Sequence, residues 1–428
     1  MNSKRFSKNQ LLVICLITLS TLSLTLVPSI GTKAAAGDTI TVNSVVGLNN
    51  ALNRATGGET IRLNNGNYGA YDFNNRQFSR YVTIVSANGK GGAIFSNIEF
   101  NQSSYIRIVD IQVVAQAREG VGIFDNSHHI QVLNSEIYGN DQFNRNAPSY
   151  TQVSTLYGIN VDTSNDLLIQ NNNVHDVKSS AYLFTDTNNS TIKGNQCDWV
   201  ASDCYKLARV DSMLFENNFG ARHIHSSPMA HVDFVQGQGT VTNSRFIGNV
   251  ALAANRAFQG LFFDDATFTN LTFENNVIHT SSIRGISVSS PDNGTPSSGI
   301  KARFNTVLRP SGSQKASLIL IPSGSVNDNN IVSNNTTKNA ERFLGTNIVA
   351  QWDDPDDIAH YSVYYQGIMK TTGVMINDFK PVTGSPADGQ KGAFARINAL
   401  INGATPLPPS ININNNAIVI PAVNLLLQ

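Results

Sequence analysis

From about residue 105 onward the chain repeats one theme: a short apolar strand, a polar turn, another strand, then asparagine. It appears in "GVGIFDNSHHIQVLNSEIYGN" (120–140), "LYGINVDTSNDLLIQNNNVHD" (156–176) and "AYLFTDTNNSTIKGNQCDW" (181–199). It returns in "CYKLARVDSMLFENNFG" (204–220), "HVDFVQGQGTVTNSRFIGN" (231–249) and "GLFFDDATFTNLTFENNVIH" (260–279), and a seventh copy opens at "RGISVSS" (284–290). Self-similarity of this kind, its step varying through insertions at one loop, overrides any domain count based on length. Helical repeats would show a 3.6-residue apolar rhythm, whereas these runs are strand-sized and punctuated by "NN" and "EN" steps. Each unit is one coil of a single-stranded, right-handed parallel β-helix, an all-β fold. A lone coil cannot bury its inward side chains, but a stack can. Asparagines recurring at one turn predict a ladder of side-chain amides running from coil to coil.

The ends agree. In "SVVGLNNALNRA" (44–55) Val45, Leu48, Ala51, Leu52 and Ala55 share one helical face behind a Ser44 N-cap, which predicts an N-terminal capping helix over the first coil. This opening, with "GGETIRLNNGNYG" after it and "DFKPVTGSPADGQKGAF" (378–394) near the end, resembles the pectate-lyase-like β-helix superfamily. The resemblance spans roughly residues 38–394 and implies the fold; that scaffold hosts lyases, hydrolases, epimerases and adhesins.

Ahead of the coils, Lys4, Arg5 and Lys8 precede an apolar run from Leu11 to about Val27, and Ala34-Ala35-Ala36 supplies a small-residue cleavage site. Residues 1–36 therefore read as a secretory signal peptide, 37–395 as the β-helix catalytic domain and 396–428 as a C-terminal tail without an assigned role. The expected location is outside the cytoplasm, extracellular or periplasmic, with no membrane span. Removing the leader takes four basic and no acidic residues from the 30 of each, leaving a formal charge near −4. No basic stripe offers itself to nucleic acid. In an exported chain Cys197 and Cys204, seven residues apart, can close a small disulfide loop; two free thiols are the alternative.

Stacking predicts neighbours, because equivalent residues in successive coils lie about 4.8 Å apart. Registering the coils on Ile123, Ile159, Leu183, Leu207, Phe234, Leu261 and Ile286 as inward residues makes the preceding column outward: Gly122, Gly158, Tyr182, Lys206, Asp233, Gly260, Gly285. Tyr182, Lys206, Arg209, His231, Asp233 and Gln236 then gather on one face, with Asn160, Phe184 and Phe262 also outward. A one-residue slip would exchange inside for outside. Lys206 guards against it, since lysine is almost never buried without a partner. Cys204 falls on the outer face in the same register.

This set suits β-elimination of a uronate. The C6 carboxylate must be neutralised, the C5 proton removed and the leaving O4 protonated. Lys206 is the candidate base, or else a neutraliser. Arg209 and Gln236 suit neutralisation, His231 or Tyr182 the acid, and Asp233 the orienting role. Arg209 would lower the lysine pKa and Asp233 would oppose that. Phe184 and Phe262 would stack on sugars or simply pack under a loop. The spacing "YKLAR…HVDFVQ" is similar to a pattern in secreted β-helix polysaccharide lyases, alginate lyases included, and that resemblance implies roles for Lys206, His231, Asp233 and Gln236. The expected substrate is an acidic polysaccharide, alginate foremost, acted on by a monomer.

Three other readings stand beside it. Mannuronan epimerases share the fold and first step but carry an acidic-Pro-His-Glu motif where this chain has "SPMAH". Hydrolysis would need clustered carboxylates, of which Asp233 with Asp264 and Asp265 is a thin version. A non-catalytic adhesin would have no use for a lone lysine between tyrosine and aspartate on adjacent coils. His223 and His225 in "RHIHSSPMAH" read as solvated loop residues or subsite contacts, with a metal site as the alternative and no cysteine or acidic partner beside them. No cofactor is required by the sequence. Ca2+ is an option at the acidic turns "FFDDAT" (262–267) and "QWDDPDDIAHYS" (351–362).

Overall fold

The structure, a computed structural model, describes residues 33–140, 155–223, 232–252, 259–280, 282, 284–291, 294–308, 318–334, 347–351, 376–385, 388 and 391–403. The leader, His225, His231, the 352–362 acidic stretch and most of the tail lie outside these residues. The chain winds as a right-handed parallel β-helix, as expected. Every pairing among the described strands is parallel. A 12-stranded sheet forms the first wall, and a 20-stranded sheet supplies the second and third. Three short strands (Val210–Asp211, Val241–Thr242, Phe268–Thr269) form a small sheet between the third wall and the first. The first wall has 12 strands, from Thr39–Val42 to Val326–Asp328. The second wall includes Glu136–Gly139, Asn173–Val177, Gln196–Val200, Phe219–Gly220 and Val250–Leu252. The third includes Glu119–Phe124, Tyr157–Asp162, Tyr182–Thr185, Tyr205–Ala208, Asp233–Gln238, Gln259–Asp264 and Arg284–Val288.

The "NN" steps have a two-part cause. From residue 134 to residue 330 the turn joining the first wall to the second is always two residues. Its first residue takes the left-handed conformation, as at Asn171 (φ 55), Asn217 (φ 57) and Asn275 (φ 55). Glycine fills the same place at Gly194 (φ 63) and Gly248 (φ 64), because few side chains other than asparagine tolerate it. The second residue points inward and builds the ladder. Asn172, Asn195, Asn218, Asn249, Asn276, Asn305 and Asn330 are all essentially buried. Each main-chain N–H from Asn172 to Asn305 donates to the next asparagine Oδ1 at 2.8–3.0 Å. The amides thereby satisfy main-chain groups that the tight turn would strand in the core.

Aromatic rings stack in the same coil-to-coil manner inside. Tyr182 lies on Tyr205 with centroids 4.8 Å apart, and Phe215, Phe246 and Phe273 form a run at 5.0 and 5.3 Å. Helix α1 (Val45–Arg54) caps the first coil. Ser44 Oγ accepts from Gly47 N at 3.1 Å, and Leu48, Ala51 and Leu52 are buried. Helix α2 (Phe394–Ile401) lies along the solenoid: buried Arg396 donates through Nε to Gly248 O at 2.7 Å, and Ala393 N donates to Thr306 Oγ1 at 3.0 Å. Cys197 and Cys204 form a disulfide joining the second wall to the head of the third. Both cysteines are fully buried, so the bond is part of the core and Cys204 does not face outward as expected.

The third wall departs from the expected register. Its inward residues are Ile159 and Val161, Tyr182 and Phe184, Tyr205 and Leu207, Val235 and Gly237, Leu261 and Phe263. The column between them reads Glu99, Gly122, Asn160, Leu183, Lys206, Gln236, Phe262, Ser287. The alignment slips by one at Leu183 and again at Phe234.

Candidate functional site on the third wall

Lys206 is partly buried between fully buried Tyr205 and Leu207, and its side chain stands on the outer face of the wall. Gln236 is its register partner on the following rung and Leu183 on the preceding one. Among the described residues Lys206 enters no ion pair. One rung beyond Leu183, Asn160 directs Nδ2 toward Glu119 Oε2 at 3.5 Å. Connections from the second wall to the third range from three residues (116–118) to seventeen (140–156), against two residues at the asparagine turn. Those from the third wall to the first vary too, with three residues at 125–127 and twelve at 289–300, so chain length varies at both borders of this face.

Four expected site residues lie elsewhere. Tyr182 is fully buried; its hydroxyl donates to Gln196 O at 3.0 Å and Asn172 O at 3.2 Å. Burial holds that phenol well above its ordinary pKa, so Tyr182 is no proton donor to a surface ligand. Phe184 is fully buried against Phe215. Asp233 does not neighbour Lys206. It is fully buried at the wall's leading corner, where its N–H donates to Asp203 Oδ1 at 3.0 Å and its carbonyl accepts from Cys204 N at 2.9 Å. Arg209 occupies the turn after Ala208 with φ 55 and grips Asp186 by two bonds, Nε at 2.8 Å and Nη2 at 2.7 Å. That pair holds the Asp186 carboxyl below its usual range and makes Arg209 a turn brace rather than a neutraliser beside Lys206.

Phe262 keeps its outward place, but it is only 4% exposed because the Arg284 guanidinium covers its ring at 4.3 Å. It cannot stack on a sugar. No group of three His, Cys, Asp or Glu side chains among the described residues has a metal-holding arrangement.

A model of the right-handed beta helix region matches residues 143–307. A rhamnogalacturonan lyase superposes with TM-score 0.52 at 11% identity, covering 84% of this chain and 100% of its own. The shared feature is the fold, a right-handed parallel β-helix. An alginate lyase from Paenibacillus sp. str. FPU-7 aligns at 15% identity over 56% of this chain and 95% of its own, with TM-score 0.37. The A-module of a mannuronan C-5 epimerase from Azotobacter vinelandii aligns at 12% over 75% and 98%, with TM-score 0.42. No curated protein matches in sequence.

On this β-helix three groups escaped sequence reasoning. Arg284 gives no signal of its own beyond opening the "RGISVSS" copy. Asp72, Glu99 and Glu119 cluster at the wall's N-terminal end; burial, then Asp72 and Glu119, raise the Glu99 carboxyl above its usual range. Those acids precede the clear repeats. On the second wall His175 stacks on Tyr138 at 4.8 Å, with Nδ1 2.6 Å from Asp176 and Nε2 3.4 Å from Glu136. Burial opposes its charge, but the two carboxylates prevail and raise it to about 9. The "VHD" of 174–176 was its only sequence signal.

Proposed function

We propose that the chain is a polysaccharide lyase that cleaves a uronate-containing polysaccharide, alginate being the leading candidate, by β-elimination at the third wall. One observation carries the reading: Lys206, the only lysine in the outward column of that wall, stands beside Gln236 with no carboxylate in that register to neutralise it. A cation and an amide donor on adjacent rungs, about 5 Å apart, match the needs of a substrate carboxylate and the proton next to it. Lys206 takes the C5 proton when neutral, and Gln236 donates to the C6 carboxylate. His231, five residues before Gln236 in sequence, is the acid for the leaving O4. Hydrolysis fits less well, since Asp233 is sealed in the wall instead of facing another carboxylate across solvent. The buried disulfide supports export through the 1–36 leader.

The test is incubation with alginate, polygalacturonate and other uronic polymers, followed by ultraviolet absorbance of the new C4–C5 double bond. Lys206→Ala and His231→Ala should each lower turnover by at least about a hundredfold with the fold intact. Reducing ends without absorbance, or normal turnover in both variants, would overturn the proposal.

A further inference from the structure

The outward column continues from Gln236 to Phe262 and Ser287, placing Phe262 two rungs, about 10 Å, from Lys206. Here the surface sinks into a cleft of about 360 Å³ bordered by Phe262, Asp264, Arg284, Ser287, Ser289 and Pro322. The Arg284 guanidinium carbon sits over the Phe262 ring, 4.3 Å from its centroid, and that contact holds the cation at the cleft. No carboxylate among the described residues pairs with it. Asp264, which also borders the cleft, accepts from the Ser289 hydroxyl. The lining thus combines a planar cation with oxygen acceptors and hydroxyls. A sugar ring with a carboxylate on one edge and hydroxyls on the other is the complementary shape.

The opposite end of the wall has the contrary charge. Asp72 and Glu99 are register partners, and Glu119 is close enough to help raise the Glu99 pKa. A polyanion is repelled there and attracted at Lys206 and Arg284. We propose that the Arg284 cleft is a subsite for a carboxylate-bearing sugar. The acidic glycan lies along the solenoid axis and runs from Lys206 toward the C-terminal coils. This rests on the lyase reading above. Arg284 contributes bidentate recognition of the carboxylate, and Phe262 is its positioning platform.

The test pairs binding with turnover. Wild type, Arg284→Ala and Arg284→Lys are run in native gels containing alginate, polygalacturonate, dextran sulfate or neutral dextran, and kcat/KM is measured on polymer and on uronate trimers. Polyuronate should retard the wild type. Arg284→Ala should weaken that Kd at least about tenfold, and the ratio of polymer to trimer kcat/KM should fall by a similar factor. Arg284→Lys keeps a cover over Phe262 yet loses the donor fork, so it should fall between them. That result excludes a mere packing effect. If Arg284→Ala binds and cleaves as wild type does, the subsite is wrong and the lyase reading survives. If dextran sulfate binds as tightly as polyuronate, the carboxylate assignment is wrong. If wild type neither binds nor cleaves any polyuronate, the lyase reading falls and the subsite with it.

Discussion

Replacing Asn218 by alanine tests whether the asparagine ladder holds the solenoid together. Its Oδ1 accepts from Asn195 N at 3.0 Å and Asn195 Nδ2 at 3.2 Å, and its Nδ2 donates to Ile192 O at 2.8 Å and Asn249 Oδ1 at 3.0 Å. Two of these partners keep a second bond, Asn195 Nδ2 to Ile169 O at 2.7 Å and Asn249 Oδ1 from Asn218 N at 2.9 Å. Of the other two, the Ile192 carbonyl lies in a strand paired with Leu214–Glu216 and keeps its place in the sheet ladder, so only the buried Asn195 N–H loses its acceptor. Stranding a buried polar group costs about 1–3 kcal/mol, so the variant should lose about 2 kcal/mol. The neighbouring Asn217 supplies the control. Its role is conformational, with φ 57, and Asn217→Gly should stay within about 0.5 kcal/mol of wild type. Equilibrium urea unfolding followed by far-ultraviolet circular dichroism reads both. If Asn218→Ala loses less than 1 kcal/mol, or no more than Asn217→Gly, the ladder is decoration and the argument from buried main-chain groups is refuted.

Three further outcomes follow from the same contacts. His175 has a folded pKa of about 9 against an ordinary 6.5, so its contribution is fully present below pH 6.5 and is lost as pH rises through 9. On the order of 3 kcal/mol should disappear across that window in the wild type but not in His175→Gln, as read by urea midpoints at pH 6, 7.5 and 9. Tyr182→Phe should destabilise by about 1 kcal/mol through its lost hydroxyl bonds while leaving turnover unchanged, and a large loss of turnover would return Tyr182 to the site. Cys197→Ser with Cys204→Ser should lower stability by about 2.5 kcal/mol, the chain-entropy value for so short a loop, and a reductant should do the same to the wild type but not to the double variant.

The fold was legible because its signals are redundant. Left-handed asparagine, ladder asparagine and two-residue turn recur in coil after coil, so no single misreading spoils the inference. Capping helix α1 was legible for a similar reason, with an N-cap and a buried face agreeing. The candidate site lacks this redundancy, since each of its residues occurs once. The sequence of residues 224–231, which ends on the proposed acid His231, does not repeat the coil pattern at all.

The register slip has a physical origin at the corner where the second wall hands over to the third. There Ala181 and Tyr182, Cys204 and Tyr205, and Phe234 and Val235 are consecutive buried pairs, which breaks the in–out alternation. The first member of each pair packs toward the second wall. Crowding is visible at Gly158, where an added Cβ would strike Val174, and at Gly260, where it would strike Ile278. Counting alternation from an apolar residue therefore fails whenever that residue is the first of the pair, as at Phe234. Tyrosine gives no warning, because it can hide its hydroxyl on core carbonyls as Tyr182 does. Lysine has no comparable refuge. Tyr205, Lys206 and Leu207 accordingly have the expected in–out places, while Cys204 on the same rung and Tyr182 and Asp233 on its neighbours do not. Outward columns in a β-helix are best anchored on residues whose burial is prohibitively costly, then carried to neighbours through strand pairing. Applied here, that rule places Gln236, and not Asp233, beside the lysine.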